Sequence, residues 1–131
     1  MGSDPGGEMM TKRNIRDPLE LLPLMPIELL VLTMLSAGDR HGYGIRQDIV
    51  AHTDGRIALE AGNLYRHIRA LQADGLVDET EPRPVDGNED ERRIYYTLLP
   101  FGRRVLAAEL ERLRDLMRIA EEHRIIGRAR A

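Results

Sequence analysis

Apolar residues return at helical spacing in four stretches of the chain and alternate with polar residues in two more. From Pro26 to about Ala37, the positions Ile27, Leu30, Val31, Met34 and Leu35 mark a broad apolar face that ends at Gly38, which predicts a helix lying on a core. Ahead of it, Asp17-Pro18 supplies a cap and a proline suited to the first helical position. A turn or two of helix should therefore run through Leu19, Leu21 and Leu22 before Pro23 ends it. Turn residues from Asp39 to Gly42 precede a second helix, Tyr43 to about His52, with Ile45, Ile49 and Val50 on one side and Asp54-Gly55 closing it. After a short extended link, Arg56 to Leu59, a third helix from Ala61 to Asp74 carries Leu64, Ile68 and Leu71 on one face and stops at Gly75.

The alternation changes the picture after Gly75. Leu76 and Val77 within 75–80, and Ile94, Tyr96 and Leu98 within 93–98, predict two strands of a hairpin, with the polar stretch Pro82 to Glu91 as a long tip. Pro100 should end the second strand. From about Phe101 to Ile126, the residues Leu106, Leu110, Leu113, Met117 and Ala120 recur at intervals of 4, 3, 4 and 3, the spacing of a coiled-coil seam that needs a partner.

Three short helices, a two-stranded hairpin and a long helix make an α+β chain, mainly α, in the order of a winged helix-turn-helix with an appended carboxy-terminal helix. The expected organisation is a disordered segment over 1–16, a winged helix-turn-helix domain over 17–100, a dimerisation helix over 101–126 and a disordered tail over 127–131. The Gly-rich start lacks apolar periodicity and reads partly as added sequence, with Met9 or Met10 as candidate natural starts. Such an order alone does not establish function.

Composition narrows the classes further. A chain of 131 residues suits one domain plus an appended helix, and no apolar run is long enough to span a bilayer, so no membrane role and a cytoplasmic location are expected. The absence of cysteine excludes disulfides and thiolate metal sites. Its four histidines are scattered with no i, i+4 pair, and the polar group Glu121, Glu122 and His123 is a poor cage, so neither metal nor cofactor is expected. Neither a nucleophile elbow nor a phosphate-cradling glycine loop is present, and an enzyme is not expected. The net charge is −3, from 19 Lys and Arg against 22 Asp and Glu, so a nucleic-acid partner requires an uneven distribution of that charge.

With Leu64, Ile68 and Leu71 turned inward, the third helix is left with Asn63, Arg66, His67 and Ala70 facing outward, and with Arg69 on its flank. Arg66 has the geometry to bridge guanine O6 and N7, Asn63 that to pair with adenine, and the helix start offers amides to a phosphate. A solvated polar face would look the same in sequence. Tyr65 divides its role between inter-helix packing and a hydroxyl for phosphate, whereas Tyr43 is expected in the core. In the hairpin, Arg83, Arg92 and Arg93 are candidates for phosphate contacts, provided that Asp86, Glu89, Asp90 and Glu91 splay outward.

Several short signatures then agree. His41-Gly42-Tyr43-Gly44, Leu64-Tyr65, the run from Leu71 to Gly75-Leu76-Val77, Arg92-Arg93-Ile94-Tyr95-Tyr96 and Gly102 together resemble the PadR family over about Met25 to Arg118. That resemblance, which is to the shorter-tailed branch, implies a cytoplasmic homodimeric transcriptional repressor. It would bind a palindromic operator in double-stranded DNA, be released by a small-molecule effector, and dimerise through its last helix. Glu60 and Ala61 depart from the usual Ser and Pro at the start of the third helix, Asn63 from the usual Thr, and no Trp is available to stack a flat aromatic drug. A protein-binding adaptor on the same scaffold is the alternative.

Overall fold

The computed structural model describes residues 16–85 and 87–128. Residues 1–15, most of the segment expected to be disordered, lie outside the described residues, as do Asp86, the side chain of Glu89 and the last three positions.

A 3-10 turn, Pro18–Leu21, is capped by the Asp17 carboxylate, which accepts from the Leu19 amide at 2.9 Å. Helices α1 (Pro26–Ser36), α2 (Gly42–His52) and α3 (Ala61–Ala73) follow at the expected places. Their inward faces meet in one core of Val31, Leu32 and Leu35 from α1, Ile45 and Ile49 from α2, and Leu64, Ile68 and Leu71 from α3. Each of these side chains is essentially buried, and removing one from water contributes about 1.5–3 kcal/mol. Val50, expected on the inner side of α2, is instead exposed.

The hairpin differs from the expectation in two ways. Strand β1 (Arg40–His41), read as turn in the sequence, pairs antiparallel with β5 (Tyr95–Leu98), which also pairs with β2 (Val77–Glu79), giving a sheet of order β1-β5-β2. Two residues are too few for a period-2 pattern to be visible. The polar tip is not a long loop either: β3 (Arg83–Val85) and β4 (Asn88–Arg93) form a second ladder that turns at Gly87, whose φ of +82° suits glycine. Both faces of this ladder are largely wet, so no apolar alternation marks it. Ile94, placed in the returning strand by its pattern, stands exposed at the break between β4 and β5.

Helix α4 runs Pro100–Glu122, with Pro100 at its first position and its end a few residues short of Ile126. Gly102 lets it approach the segment between α3 and β2 closely, for a Cβ there would lie 2.1 Å from the Leu76 carbonyl oxygen. Val105 and Leu106 enter the core. Leu106 is therefore removed from the expected dimer seam, because its own subunit already buries it. Glu109, which in sequence resembles a solvated charge, is 1% exposed. It accepts from the Leu24 amide at 2.8 Å and from Arg112 Nε at 2.6 Å, fastening the amino-terminal arm to α4.

Candidate nucleic-acid interface

Helix α3 is amphipathic enough to commit three residues to the core and leave the opposite face open. Arg66, Arg69 and Ala70 are exposed on it. The first turn has no side-chain cap, since Glu60 makes no such hydrogen bond, and Gly62 has open space around it. Unmet amides flanked by Ala61 and Gly62 leave room for an anion to approach the backbone.

The outward residues are not equivalent. Arg66 donates through Nη2 to Asn63 Oδ1, so the two expected base readers form one unit. Neither Arg66 nor Arg69 forms an ion pair among the described residues. His67, expected to face outward, is turned the other way: its Nδ1 lies 3.1 Å from Glu28 Oε2 on α1, with both side chains mostly shielded. At i+3 from Leu64 it sits on the border of the buried face, where a reachable carboxylate decides its direction. Tyr65 is partly exposed, but its hydroxyl end packs on Gly42, where an added Cβ would come within 2.7 Å. That contact fixes α3 against the start of α2.

Tyr43 is not in the core as expected but about half exposed, its ring parallel to that of His41. His41 itself caps α2, its Nδ1 accepting from the Gly44 amide at 3.0 Å. This cap was hidden because histidine is not among the usual capping residues.

In the wing, Arg83 meets Asp39 at 2.8 Å and Arg93 meets Glu91 at 2.7 Å, so Glu91 does not splay away. A hydrogen bond with Thr97, followed by the Arg83 guanidinium, holds the Asp39 carboxyl below its ordinary value against the opposing effect of burial. Arg92 is exposed, touches the Pro82 carbonyl at 3.3 Å and has no ion pair among the described residues. Of the three wing arginines it alone keeps its charge unmatched there.

Beyond the core, α4 leaves Leu110, Leu116, Met117 and Ile119 between 44% and 52% exposed, with Leu113 and Ala120 half-buried. Among the described residues no helix is long and apolar enough to cross a membrane, and no group of three or more His, Asp or Glu is placed to hold a metal ion.

No curated protein sequence matches the chain. Among solved structures it is similar to a Streptococcus transcriptional regulator, 21% identical over 75% of this chain and 91% of that one, with a TM-score of 0.64. A PadR family transcription regulator from Clostridium difficile is 20% identical over 74% and 96%, with a TM-score of 0.60. Bacillus subtilis PadR in complex with operator DNA is 17% identical over 66% of this chain and 48% of its own length, with a TM-score of 0.55. At these identities the likeness is one of fold, a winged helix-turn-helix with a long terminal helix. The model of the transcriptional regulator PadR-like family matches residues 31–108, more than half of the sequence, and the chain belongs to that family.

Proposed function

We propose that the protein is a homodimeric, sequence-specific DNA-binding regulator, a repressor that a small-molecule effector releases from a palindromic operator. The observation that carries this reading is the outer face of α3: arginines without acidic partners among the described residues, small residues at an uncapped start, and no acid between Ala61 and Ala73. In the major groove, Arg66 would face guanine with Asn63 orienting its guanidinium, and the first-turn amides would take a phosphate. Arg69 and Arg92 would meet flanking phosphates. The family's description and the operator complex of Bacillus subtilis PadR support this assignment.

The exposed stripe of α4 supports dimerisation. Leu110, Leu113, Met117 and Ala120 keep the seam spacing after Leu106 is withdrawn. Leu110 and Met117 are about half exposed within it, Leu116 and Ile119 add exposed apolar surface beside it, and such surface in water favours a second copy. Two-fold pairing would set the recognition helices about 34–36 Å apart, matching half-sites one DNA turn apart.

The test is binding to a duplex selected from a random pool, compared with unselected duplex, across salt concentrations. Phosphate contacts release counterions, so affinity should fall as salt rises. Arg66→Ala should weaken binding to the selected duplex by about 1 to 3 kcal/mol and to unselected duplex by much less. A protein without salt-dependent duplex affinity would be an adaptor instead.

A further inference from the structure

The β3–β4 hairpin forms its own two-stranded ladder, separate from the β1-β5-β2 sheet. Backbone ladders therefore do not join the two sheets, and beyond the chain itself, which passes from β4 through Ile94 into β5, the hairpin's angle is left to side chains. Five of them, from five elements, stand in one row. The Arg83 guanidinium of β3 lies over the Tyr95 ring of β5 at 5.1 Å. Tyr95 meets the His41 ring of β1 edge-on at 5.2 Å. His41 stacks on Tyr43 of α2 at 6.4 Å, and the Arg93 guanidinium of β4 lies over Tyr43 at 5.4 Å.

Each step is within the range where ring quadrupoles attract: about 4.5–7 Å between ring centroids, and about 6 Å from a cation to a ring. The row is anchored in its middle, where His41 accepts from the Gly44 amide, and at both ends, where Asp39 and Glu91 hold the arginines. Both strands of the hairpin are thus tied to the helix-turn-helix, β3 by way of the sheet and β4 directly to the first turn of α2.

We propose that this row is the positioning device of the wing. Tyr43 and Tyr95 are positioning residues that hold the hairpin at a fixed angle, and with it Arg92, which sits opposite Pro84 in the same ladder. Arg83 and Arg93 face inward to the row and leave phosphate contact to Arg92. The proposal rests on the reading that the wing meets DNA beside the groove that α3 occupies.

The intact protein would be titrated with a selected duplex across salt concentrations as wild type, Tyr43→Leu, Tyr95→Leu and Tyr95→Phe, each with and without Arg92→Ala. Both leucine variants should weaken binding at least about threefold and lower the salt slope by about one. Arg92→Ala should add nothing to either. Tyr95→Phe, which keeps the ring and gives up only the long 3.5 Å hydrogen bond that the hydroxyl donates to the Pro84 carbonyl, should stay within about twofold of wild type. An unchanged slope in both leucine variants, or a full Arg92→Ala effect in the Tyr43→Leu background, overturns the proposal.

Amide hydrogen exchange on the free protein separates this from the DNA reading. Breaking the row should speed exchange between Arg83 and Arg93 while the core amides of α1–α3 keep their protection. Unchanged exchange there overturns the positioning role even in a protein that binds DNA. Faster exchange in a protein without salt-dependent duplex affinity supports the role and overturns the DNA reading alone.

Discussion

Replacing Glu109 with alanine should loosen the amino-terminal arm from α4, at a cost that the geometry allows to be estimated. The carboxylate is 1% exposed and holds the Leu24 amide at 2.8 Å and two Arg112 nitrogens at 2.6 and 3.1 Å. Hydrogen bonds to charged groups contribute about 1.5–3 kcal/mol each when shielded. The Arg112 side chain is 43% exposed, so water takes over much of its solvation and that part is discounted. What remains is the bond to Leu24 and a small cavity, together about 3 kcal/mol. Glu109→Gln keeps an acceptor for Leu24 and should cost about half as much. For a chain of this size the Tm should fall by about 10 °C for alanine and about 5 °C for glutamine, measured at one protomer concentration.

The same pair of variants carries a pH signature. The Arg112 hydrogen bond, assisted by that of Leu24, keeps the Glu109 carboxyl below its ordinary value although burial pushes the other way. A carboxyl whose folded pKa is depressed contributes stability that is fully present above the unfolded value of about 4.3 and lost as pH falls through the lower folded value. The gap between wild type and Glu109→Gln should thus be constant near neutrality and close in acid. A gap that widens in acid, or an alanine variant within about 0.5 kcal/mol of wild type, refutes the clasp.

Other changes should act locally. Gly102→Ala forces a methyl onto the Leu76 carbonyl, a backbone atom that cannot turn aside, and should cost about 3 kcal/mol by urea denaturation; near-wild-type stability would mean that α4 is seated differently. His67→Ala should lose about 1 kcal/mol of stability and weaken selected and unselected duplex by the same factor, whereas lost discrimination would return His67 to the groove. Leu110→Glu should sediment as a monomer with a folded core, while Leu106→Ala should cost about 2–5 kcal/mol of subunit stability; a Leu110→Glu dimer with full operator affinity places the interface elsewhere.

The helices were legible because each buries one face against the core. Leu64, Ile68 and Leu71 are nearly inaccessible, and their spacing together with the stop at Gly75 places α3 to within a residue. The long-range partners were not legible. His67 turns on a carboxylate 39 positions away, Arg83 on one 44 away and Glu109 on an amide 85 away, and no local pattern encodes such pairs. Tyr43 was misplaced for the same reason: an aromatic at the start of α2 looks like core until the arginine and histidine that cover it are known. Periodicity reports burial against an average neighbour, and these side chains answer to particular ones.

Those pairings also bear on how a chain of net charge −3 could meet a polyanion. Two acids near the wing are matched within the molecule, Asp39 by Arg83 and Glu91 by Arg93, and Asp74 at the end of α3 faces Arg16 at 3.7 Å. Along α4 the same holds for Glu111 with Arg114 and Asp115 with Arg118. Asp78, Glu79, Glu81 and Asp90, by contrast, form no ion pair among the described residues. Between Ala61 and Ala73 there are two arginines and no acid, so the outer face of α3 is locally positive within an acidic protein. At physiological salt, charges more than about 8 Å away are largely screened. A docked phosphate would therefore respond to the charges around α3 and Arg92, with Asp90 two positions away in the same strand opposing it, rather than to the net charge. Unselected DNA, which is held through phosphates alone, gains little from so few cations. Affinity for random duplex should then be low compared with that of a basic protein, and the preference for a selected duplex over a random one should come mainly from Arg66 and the bases it would face. Strong retention on random duplex at physiological salt would contradict this division.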